Sequence, residues 1–109
     1  FGQLTGKYIN KTEENTRLGL YGDWFTRYSN ENCLNAVKEY SKIANKYNIS
    51  LTHLALAFVN TRPFVASNII GATTMKQLKE NIASIDIELS AEILEEINEI
   101  HLNQPNPAP

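Results

Sequence analysis

One stretch decides the fold: Ile69-Ile70-Gly71-Ala72-Thr73-Thr74-Met75-Lys76-Gln77-Leu78-Lys79-Glu80-Asn81-Ile82. Its first, β-forming side chains predict a strand, and Gly71 permits a backbone path that is closed to other residues. Apolar residues then recur at helical spacing. Thr73 or Thr74 can cap this helix, and Thr74 with Gln77 fits a capping box. The stretch therefore predicts a strand, a tight turn and a helix.

The turn between this strand and helix is a candidate anion site. A helix that begins directly after a strand leaves several backbone N–H groups unpaired, and their dipoles favour an exposed anion by about 0.3–1 kcal/mol. Phosphate groups commonly bind at such positions. An ordinary turn with a good helix cap has the same composition, because a lone Gly-Ala-Thr-Thr is weak support for a ligand. The residues alone leave both interpretations open.

Composition limits the class of protein. The chain has 109 residues, 42% of them hydrophobic and 20% charged, which is enough for one modest core. A net charge of −2 and the lack of a basic cluster argue against a nucleic-acid surface. The single cysteine, Cys33, excludes an internal disulfide, and no apolar run approaches the roughly 18 residues of a membrane span. We therefore expect a cytoplasmic protein with neither a nucleic-acid nor a membrane partner.

Loop residues dominate the first quarter of the chain. Gly2 and Gly6 lie in a segment whose composition suits a loop in which the backbone closely approaches another group. Polar residues and glycines from Ile9 to Arg27 predict one long loop, and loops of this length are usually either functional lids or poorly ordered segments. Three aromatic residues are expected to anchor the loop onto the body of the protein: Trp24, Phe25 and Tyr28.

Two helices are predicted between residues 29 and 63. Ser29 or Asn30 can cap the first, whose apolar residues recur three or four apart and include Cys33. We interpret Cys33 as a small core residue, because no nearby histidine supports a nucleophile. The second helix, which Asn48 separates from the first and Ser50 caps, is apolar on nearly every side. It must therefore be buried on more than one face.

The remaining residues predict one strand and two helices. Phe64 to Ile70 has few polar residues, as expected for a central strand of a parallel sheet. After the helix of the quoted stretch, Ser90 caps a last helix, and a proline-rich tail follows it. His53 and His101 lie near helix ends without a cluster of other ligands, so we interpret both as structural.

Three segments carry a family resemblance, and the first and the last of them, in this order, are fairly specific when they are taken together. They are Phe1-Gly2-Gln3-Leu4-Thr5-Gly6-Lys7-Tyr8, Arg62-Pro63-Phe64-Val65 and Ile70-Gly71-Ala72-Thr73-Thr74. From Gly2 to about Asn106 the chain resembles the C-terminal part of an aldo-keto reductase, in the branch that includes the potassium-channel β-subunit type. The resemblance implies an α/β fold, the C-terminal quarter of a (β/α)₈ TIM barrel. Two parallel strands cannot close a barrel, so we expect an isolated fragment to be mostly helical.

The resemblance also divides the chain into four parts. Residues 1–28 would form a cofactor loop, and residues 29–63 the helices that follow it. Residues 64–84 would form the strand, turn and helix of a phosphate site. Residues 85–109 would supply the last helix and the tail.

In the cofactor loop, the resemblance implies three contacts with NADPH. Gly2 and Lys7 would lie against the pyrophosphate, and Arg17 would meet the adenosine phosphate. From its residue type alone, Lys7 is equally an ordinary solvated lysine. The family match is what makes it a candidate binding residue.

Around the quoted turn, the resemblance implies a second set of cofactor contacts. Gly71 and Thr73, together with Gln77, would hold the adenosine 2′-phosphate region, and Glu80 and Asn81 would contact the adenine. This is physically coherent, because Gln77, Glu80 and Asn81 recur three and four residues apart and so share one helical face.

The implied activity of the intact protein is reduction of an aldehyde or ketone by NADPH. The family's catalytic tyrosine, lysine, aspartate and histidine would lie upstream of Phe1, so we assign no catalytic residue and no metal ligand here. Since the chain begins at Phe1, we expect it to be an experimental truncation or a gene remnant. A catalytically silent nucleotide- or partner-binding fragment is the alternative, and a helical folding fragment without a function is another. The exposed edges of a quarter barrel predict self-association.

Overall fold

The described part of the chain is helical. The structure is a computed structural model that describes residues 1–10, 14 and 16–109. Its α-helices are α1 (Arg17–Tyr21), α2 (Glu31–Lys46), α3 (Leu51–Asn60), α4 (Met75–Ala83) and α5 (Ala91–Asn103). Short 3₁₀ turns occupy Gln3–Thr5, Gly22–Trp24, Thr26–Tyr28 and Ser84–Asp86. These described residues contain no strand.

Each α-helix begins at a polar side chain that accepts a hydrogen bond from the backbone N–H three residues later. The capping residues are Thr16, Asn30, Ser50, Thr74 and Ser90. A cap satisfies one of the N–H groups that a helix leaves unpaired, and so fixes where the helix starts. Asn30 rather than Ser29 caps α2, and Thr74 rather than Thr73 caps α4. The predicted caps at Ser50 and Ser90 are confirmed.

The core lies where α2, α3 and α5 meet. Its buried side chains are Ile43, Ala44, Leu54, Ile93 and Ile97. Helix α3 is central, because it contacts α2, α4 and the 3₁₀ turns Gln3–Thr5 and Ser84–Asp86. Every residue of α3 except Asn60 is buried or half-buried. The prediction that this helix is covered on more than one face is confirmed.

The junction between α2 and α3 has the predicted left-handed residue. Asn48 has a φ of 54°, a conformation that asparagine adopts more readily than most residues. The N–H of Ile49 then donates to the carbonyl oxygen of Ala44 at 3.0 Å, which closes the end of α2. Within α2, Cys33 is buried, as predicted for a core residue.

The predicted strand from Phe64 to Ile70 is wrong for this structure. The segment is irregular, and the side chain of Ile69 is 94% exposed. A parallel strand needs a neighbouring strand to pair its backbone N–H and C=O groups, and the described residues offer none. The amide of Asn68 instead donates to Asn60 Oδ1 at 3.2 Å, which attaches the segment to the end of α3.

The predicted long loop from Ile9 to Arg27 is partly helical. Helix α1 and the turn Gly22–Trp24 form within it, and Leu18 on α1 is buried. Burial of this side chain stabilises a helical turn that the polar composition does not indicate. Residues 11–13 and 15, which also belong to the predicted loop, lie outside the described residues.

The three aromatic residues expected to anchor this loop behave differently from one another. The rings of Phe25 and Tyr28 lie 4.5 and 4.9 Å from the ring of Phe1, measured between centroids. Trp24 is 85% exposed, so the prediction is wrong for this residue.

A polar cluster joins α2 to α5. Lys46 Nζ lies 2.6 Å from Glu96 Oε1, and the hydroxyl of Tyr47 donates to the same oxygen at 2.6 Å. Hydrogen bonds from Lys46 and Tyr47 lower the pKa of Glu96 below its ordinary value, because they stabilise the ionised carboxylate.

We expect acid to weaken this connection. A carboxyl group with a lowered pKa in the folded state stabilises the fold above its unfolded pKa, and this stabilisation disappears as the pH falls through the folded pKa. The free energy of unfolding should therefore decline as the pH falls below the ordinary glutamate pKa of about 4.3. In Glu96→Gln this decline should be smaller. Urea unfolding midpoints measured across this pH range test the prediction. Glu95→Gln, which changes the exposed neighbouring residue, is the control. If the urea midpoints of both variants depended on pH in the same way, the prediction would be contradicted.

Candidate functional site

The first turn of α4 holds a hydrogen-bond network centred on Gln77. The N–H of Gln77 donates to Thr74 Oγ1 at 3.2 Å. Gln77 Oε1 accepts from the N–H of Thr73 at 2.8 Å and from the Thr73 hydroxyl at 3.0 Å. A capping box would return the Gln77 side chain to the N–H of Thr74. In the structure the Gln77 side chain instead reaches Thr73, one residue before Thr74, and there it accepts two hydrogen bonds rather than one.

This network leaves several donors facing solvent. Because Gln77 Oε1 is engaged, its amide nitrogen Nε2 is directed away from Thr73 and has no partner within the described chain. The backbone N–H groups of Met75 and Lys76 lie in the first turn of α4, where a helix offers them no acceptor. All these residues are exposed. An anion accepts such donors and is favoured by the helix dipole, so the arrangement fits a phosphate group.

The turn before α4 is held by Asn81. Its Nδ2 donates to the carbonyl oxygen of Gly71 at 3.1 Å. The φ of Gly71 is not in the left-handed region, and a Cβ placed there would meet nothing within 4 Å. The prediction that Gly71 follows a path closed to other residues is therefore wrong for this structure, because none of the residues that the structure describes crowds the position. The space beside it is open to a ligand.

Glu80 links α4 to the start of α3. Its Oε1 accepts from the hydroxyl of Ser50 at 2.8 Å, and its carbonyl oxygen lies 2.9 Å from His53 Nε2. His53 thus has the structural role expected for it. The side chain of Glu80 is engaged with the α3 cap, and its contact with an adenine stays a prediction.

In the N-terminal loop, the structure brings Gly2 and Lys7 together. Gly2 and Gly6 have φ values of 82° and 77°, a left-handed conformation that glycine adopts without strain. A Cβ on Gly2 would lie 3.0 Å from Cε and 3.1 Å from Nζ of Lys7, so the glycine leaves room for the lysine side chain. Lys7 is exposed and forms no salt bridge with the carboxylates that the structure describes. Its charge is available to an anion.

Tyr8 organises this loop from inside. Its side chain is 4% exposed, and its hydroxyl donates to the carbonyl oxygen of Phe1 at 3.2 Å. The same hydroxyl accepts from the N–H of Leu18 at 3.4 Å. Burial raises the pKa of Tyr8, but hydrogen bonds with Thr16, Leu18 and Lys7 outweigh burial and lower it overall. No local sequence pattern indicates this positioning role, because it depends on contacts between residues that are distant in the sequence.

Arg17 begins α1 beside this loop. Its guanidinium carbon lies 5.4 Å from the ring centroid of Phe1, a cation–π contact. Tyr8 bonds both Phe1 and the residue after Arg17, so it fixes the relative position of the arginine and the loop. Arg17 is exposed and can meet a ligand.

The start of α3 lies between the two groups of predicted binding residues. On one side, a Cβ placed on Gly6 would lie 3.3 Å from Leu51 Cδ2. On the other side, Ser50 bonds the Glu80 carboxylate. The structure shows each group separately connected to α3. The salt bridges and cation–π contacts of the described residues do not join Lys7 or Arg17 to α4.

Gln3 is a second residue that sequence analysis missed. It is 9% exposed, and its Nε2 donates to the carbonyl oxygen of Tyr28 at 2.6 Å. Its Oε1 is buried and has no hydrogen-bond partner among the described residues. Buried acceptors are nearly always paired, so a donor from outside these residues fits here. In the sequence, a polar side chain between two loop glycines was the only available indication.

Other kinds of site receive no support in the described residues. They contain no group of three or more His, Cys, Asp and Glu side chains placed to hold a metal ion. None of their helices is both long and apolar enough to cross a membrane. Burial raises the pKa of the Cys33 thiol, which disfavours the nucleophilic thiolate.

Comparisons with known proteins agree on one family. The model of the Aldo/keto reductase family matches residues 2–102. Protein tas of Escherichia coli (strain K12) is 46% identical over 109 residues, which are 100% of this chain and 32% of that protein. An aldo-keto reductase of Babesia bovis is 40% identical over 111 residues, covering 97% of this chain and 39% of that protein.

A third relative comes from the potassium-channel branch. A putative voltage-gated potassium channel subunit beta of Schizosaccharomyces pombe is 35% identical over 106 residues, covering 91% of this chain and 30% of that protein. The chain thus spans about a third of the length of the curated relatives it matches. A family match over residues 2–102 and this level of identity show that the chain belongs to the aldo/keto reductase family.

Proposed function

We propose that the intact protein is an NADPH-dependent aldo-keto reductase, and that this chain is the cofactor-binding C-terminal quarter of its (β/α)₈ barrel. The observation that carries the proposal is the network at the start of α4. Gly71, Thr73, Gln77 and Asn81 take part in hydrogen bonds around one helix N-terminus with outward-facing donors. Family membership supports the barrel and the oxidoreductase class.

The network would bind the adenosine 2′-phosphate end of the cofactor. Gln77 Nε2 and the free N–H groups of the first turn would donate to the phosphate oxygens. Thr73 now donates to Gln77 Oε1, and it would exchange this partner for a phosphate oxygen. Asn81 and Glu80, further along the same helix, would contact the adenine.

The N-terminal loop would bind the central phosphates. The Lys7 ammonium, which no described carboxylate pairs, would attract the pyrophosphate, and Arg17 would meet the adenosine phosphate. Gly2 would let the backbone approach these groups closely. Charged hydrogen bonds of this kind are about twice as strong as neutral ones.

Bound NADPH would supply the hydride that reduces an aldehyde or ketone. The residues described above would bind and orient the cofactor, and no described residue is assigned to proton transfer. The family's catalytic tyrosine and its partners would come from the part of the protein outside this chain. The 109-residue chain alone should therefore reduce no aldehyde or ketone, so adding a carbonyl substrate should cause no sustained oxidation of NADPH.

We expect Gln77→Ala to weaken NADPH binding by the intact protein at least about fivefold, because one neutral hydrogen bond contributes about 1 kcal/mol and one to a charged phosphate contributes more. NADH lacks the 2′-phosphate, so its affinity should stay unchanged and the preference for NADPH should shrink. Isothermal titration calorimetry with both cofactors measures the two changes.

Two further variants make this test specific. Gln77→Glu keeps the acceptor for Thr73 but places a negative charge where Nε2 was, so it should weaken NADPH binding more than Gln77→Ala does. Asn98→Ala removes an exposed amide from α5 and should have no effect. Equal affinity of the unmodified protein for NADPH and NADH would remove the basis of the phosphate assignment.

A second candidate function is a catalytically silent nucleotide- or partner-binding role. Relatives named as potassium channel β subunits, and the exposed apolar side chains of this chain, favour association with a partner. Retained NADPH affinity without turnover in the intact protein would support this candidate. Turnover of an aldehyde or ketone would support the reductase.

A further inference from the structure

The hydroxyl of the buried Tyr8 joins the start of the N-terminal loop to the start of α1. It donates to the carbonyl oxygen of Phe1 at 3.2 Å and accepts from the N–H of Leu18 at 3.4 Å. It also forms a hydrogen bond with the side chain of Thr16. Tyr8 is 4% exposed, so water has little access to these hydrogen bonds. One oxygen atom therefore connects two segments that are distant in sequence.

Each candidate phosphate-binding residue in this part of the chain is a sequence neighbour of Tyr8 or of a residue that its hydroxyl contacts. These binding residues are Gly2, Lys7 and Arg17. Arg17 is held on both sides, because residues 16 and 18 bond the same hydroxyl. Its guanidinium carbon lies 5.4 Å from the ring centroid of Phe1. Lys7 Nζ lies 5.0 Å from the ring centroid of Tyr8.

A cation binds a phosphate more strongly when its backbone is already held in place. Lysine and arginine side chains lose conformational freedom when they bind a ligand, and a loop that is not held loses backbone freedom as well. The hydrogen bonds of Tyr8 hold the backbone on both sides of Arg17 and at Phe1, so the ligand has less of the chain to order. Because Tyr8 is buried, it can do this without contacting the ligand.

We propose that the Tyr8 hydroxyl is the positioning group that holds Lys7 and Arg17 together for binding the cofactor phosphates. The inference rests on the proposed function, because these two cations are the ones assigned to NADPH. It goes beyond that function by making both phosphate contacts depend on one buried hydroxyl. Gln77 binds from the separate group on α4, so its contribution should not depend on Tyr8.

Double-mutant cycles in the intact protein test this dependence. Tyr8→Phe removes the hydroxyl and keeps the buried ring, and calorimetry should show NADPH binding weakened about fivefold. In a protein that already carries Lys7→Met, Tyr8→Phe should weaken binding by no more than about twofold, because the charge to be positioned is gone. The same reduced effect is expected in a protein that carries Arg17→Met.

Two controls separate positioning from a general effect on the fold. In a protein that carries Gln77→Ala, Tyr8→Phe should keep its full effect, since the hydrogen bonds of Gln77 and Tyr8 within the described chain share no residue. Tyr21→Phe is the matched control, because Tyr21 is 54% exposed. Removal of its hydroxyl should leave NADPH binding unchanged.

Three outcomes overturn the inference. Unchanged NADPH binding in Tyr8→Phe would show that the hydroxyl positions nothing that the cofactor contacts. A full effect of Tyr8→Phe in either the Lys7→Met or the Arg17→Met protein would show that Tyr8 acts independently of that cation. Loss of all NADPH binding in Tyr8→Phe, or a reduced effect in the Gln77→Ala protein, would show that the hydroxyl supports the fold as a whole.

The binding of NADPH by the unmodified protein distinguishes this inference from the proposed function. If the unmodified protein binds NADPH and any of these three outcomes occurs, the inference about Tyr8 alone is overturned. If the unmodified protein does not bind NADPH, the proposed function is overturned together with it.

Discussion

Leu54→Ala should lower the free energy of unfolding by about 2–5 kcal/mol, the range for truncating a leucine that is fully packed in a core. Leu54 is 2% exposed and lies in the cluster that joins α3 to α2 and α5. The loss combines the transfer free energy of the removed atoms with the cavity that remains, because rigid helices close only part of the gap. Urea unfolding of the chain followed by circular dichroism measures the change.

A matched control is available on α5. Leu102 is 70% exposed, so Leu102→Ala should change stability by no more than about 0.5 kcal/mol. Similar effects of the two variants would show that α3 does not pack against the rest of the chain as the structure describes. Because α3 connects the N-terminal loop with α4, Leu54→Ala should also disturb both groups of binding residues.

Local interactions explain why much of the helical structure could be predicted. Ser50 and Ser90 each cap a helix through an N–H only three residues away, so the sequence contains the whole interaction. The left-handed Asn48 is equally local. The segment from Phe64 to Ile70 has the composition of a strand, but strand pairing depends on residues far away in sequence or outside the described chain. Composition alone could not show that its partners were missing.

In the candidate site, too, the features that depend on local spacing could be predicted, and those that depend on contacts between distant residues could not. Helical spacing places Gln77 and Asn81 on one face of α4, and this much follows from the sequence. The family resemblance implied only that Gly2 and Lys7 each contact the pyrophosphate, and the structure shows in addition that the two residues lie beside each other. The roles of Gln3 and Tyr8 depend on contacts with residues 10 to 25 positions away, which no local pattern indicates.

The segment from residue 64 to residue 85 exposes an unusual amount of apolar surface. Its exposed side chains are Phe64 at 83%, Ile69 at 94%, Met75 at 66%, Ile82 at 58% and Ile85 at 71%. An open groove of 360 Å³ also separates the segment around Val65 to Ile70 from the end of α4. Soluble monomers seldom expose large contiguous apolar patches, and the irregular segment 64–70 has no strand beside it within the described chain.

We therefore expect the 109-residue chain to self-associate at micromolar concentration. Burial of apolar surface contributes about 25 cal/mol per Å², so covering several hundred Å² would offset much of the cost of association. Ile69→Lys should shift the chain towards monomer without destabilising it, because this side chain is 94% exposed in the monomer. Leu20→Lys is the control, since Leu20 is 63% exposed but lies on α1, outside the segment. Light scattering measures the association state of the chain and of both lysine variants. A stable monomer that unfolds cooperatively would contradict the prediction. Equal effects of the two variants would show that the apolar side chains of this segment do not drive association.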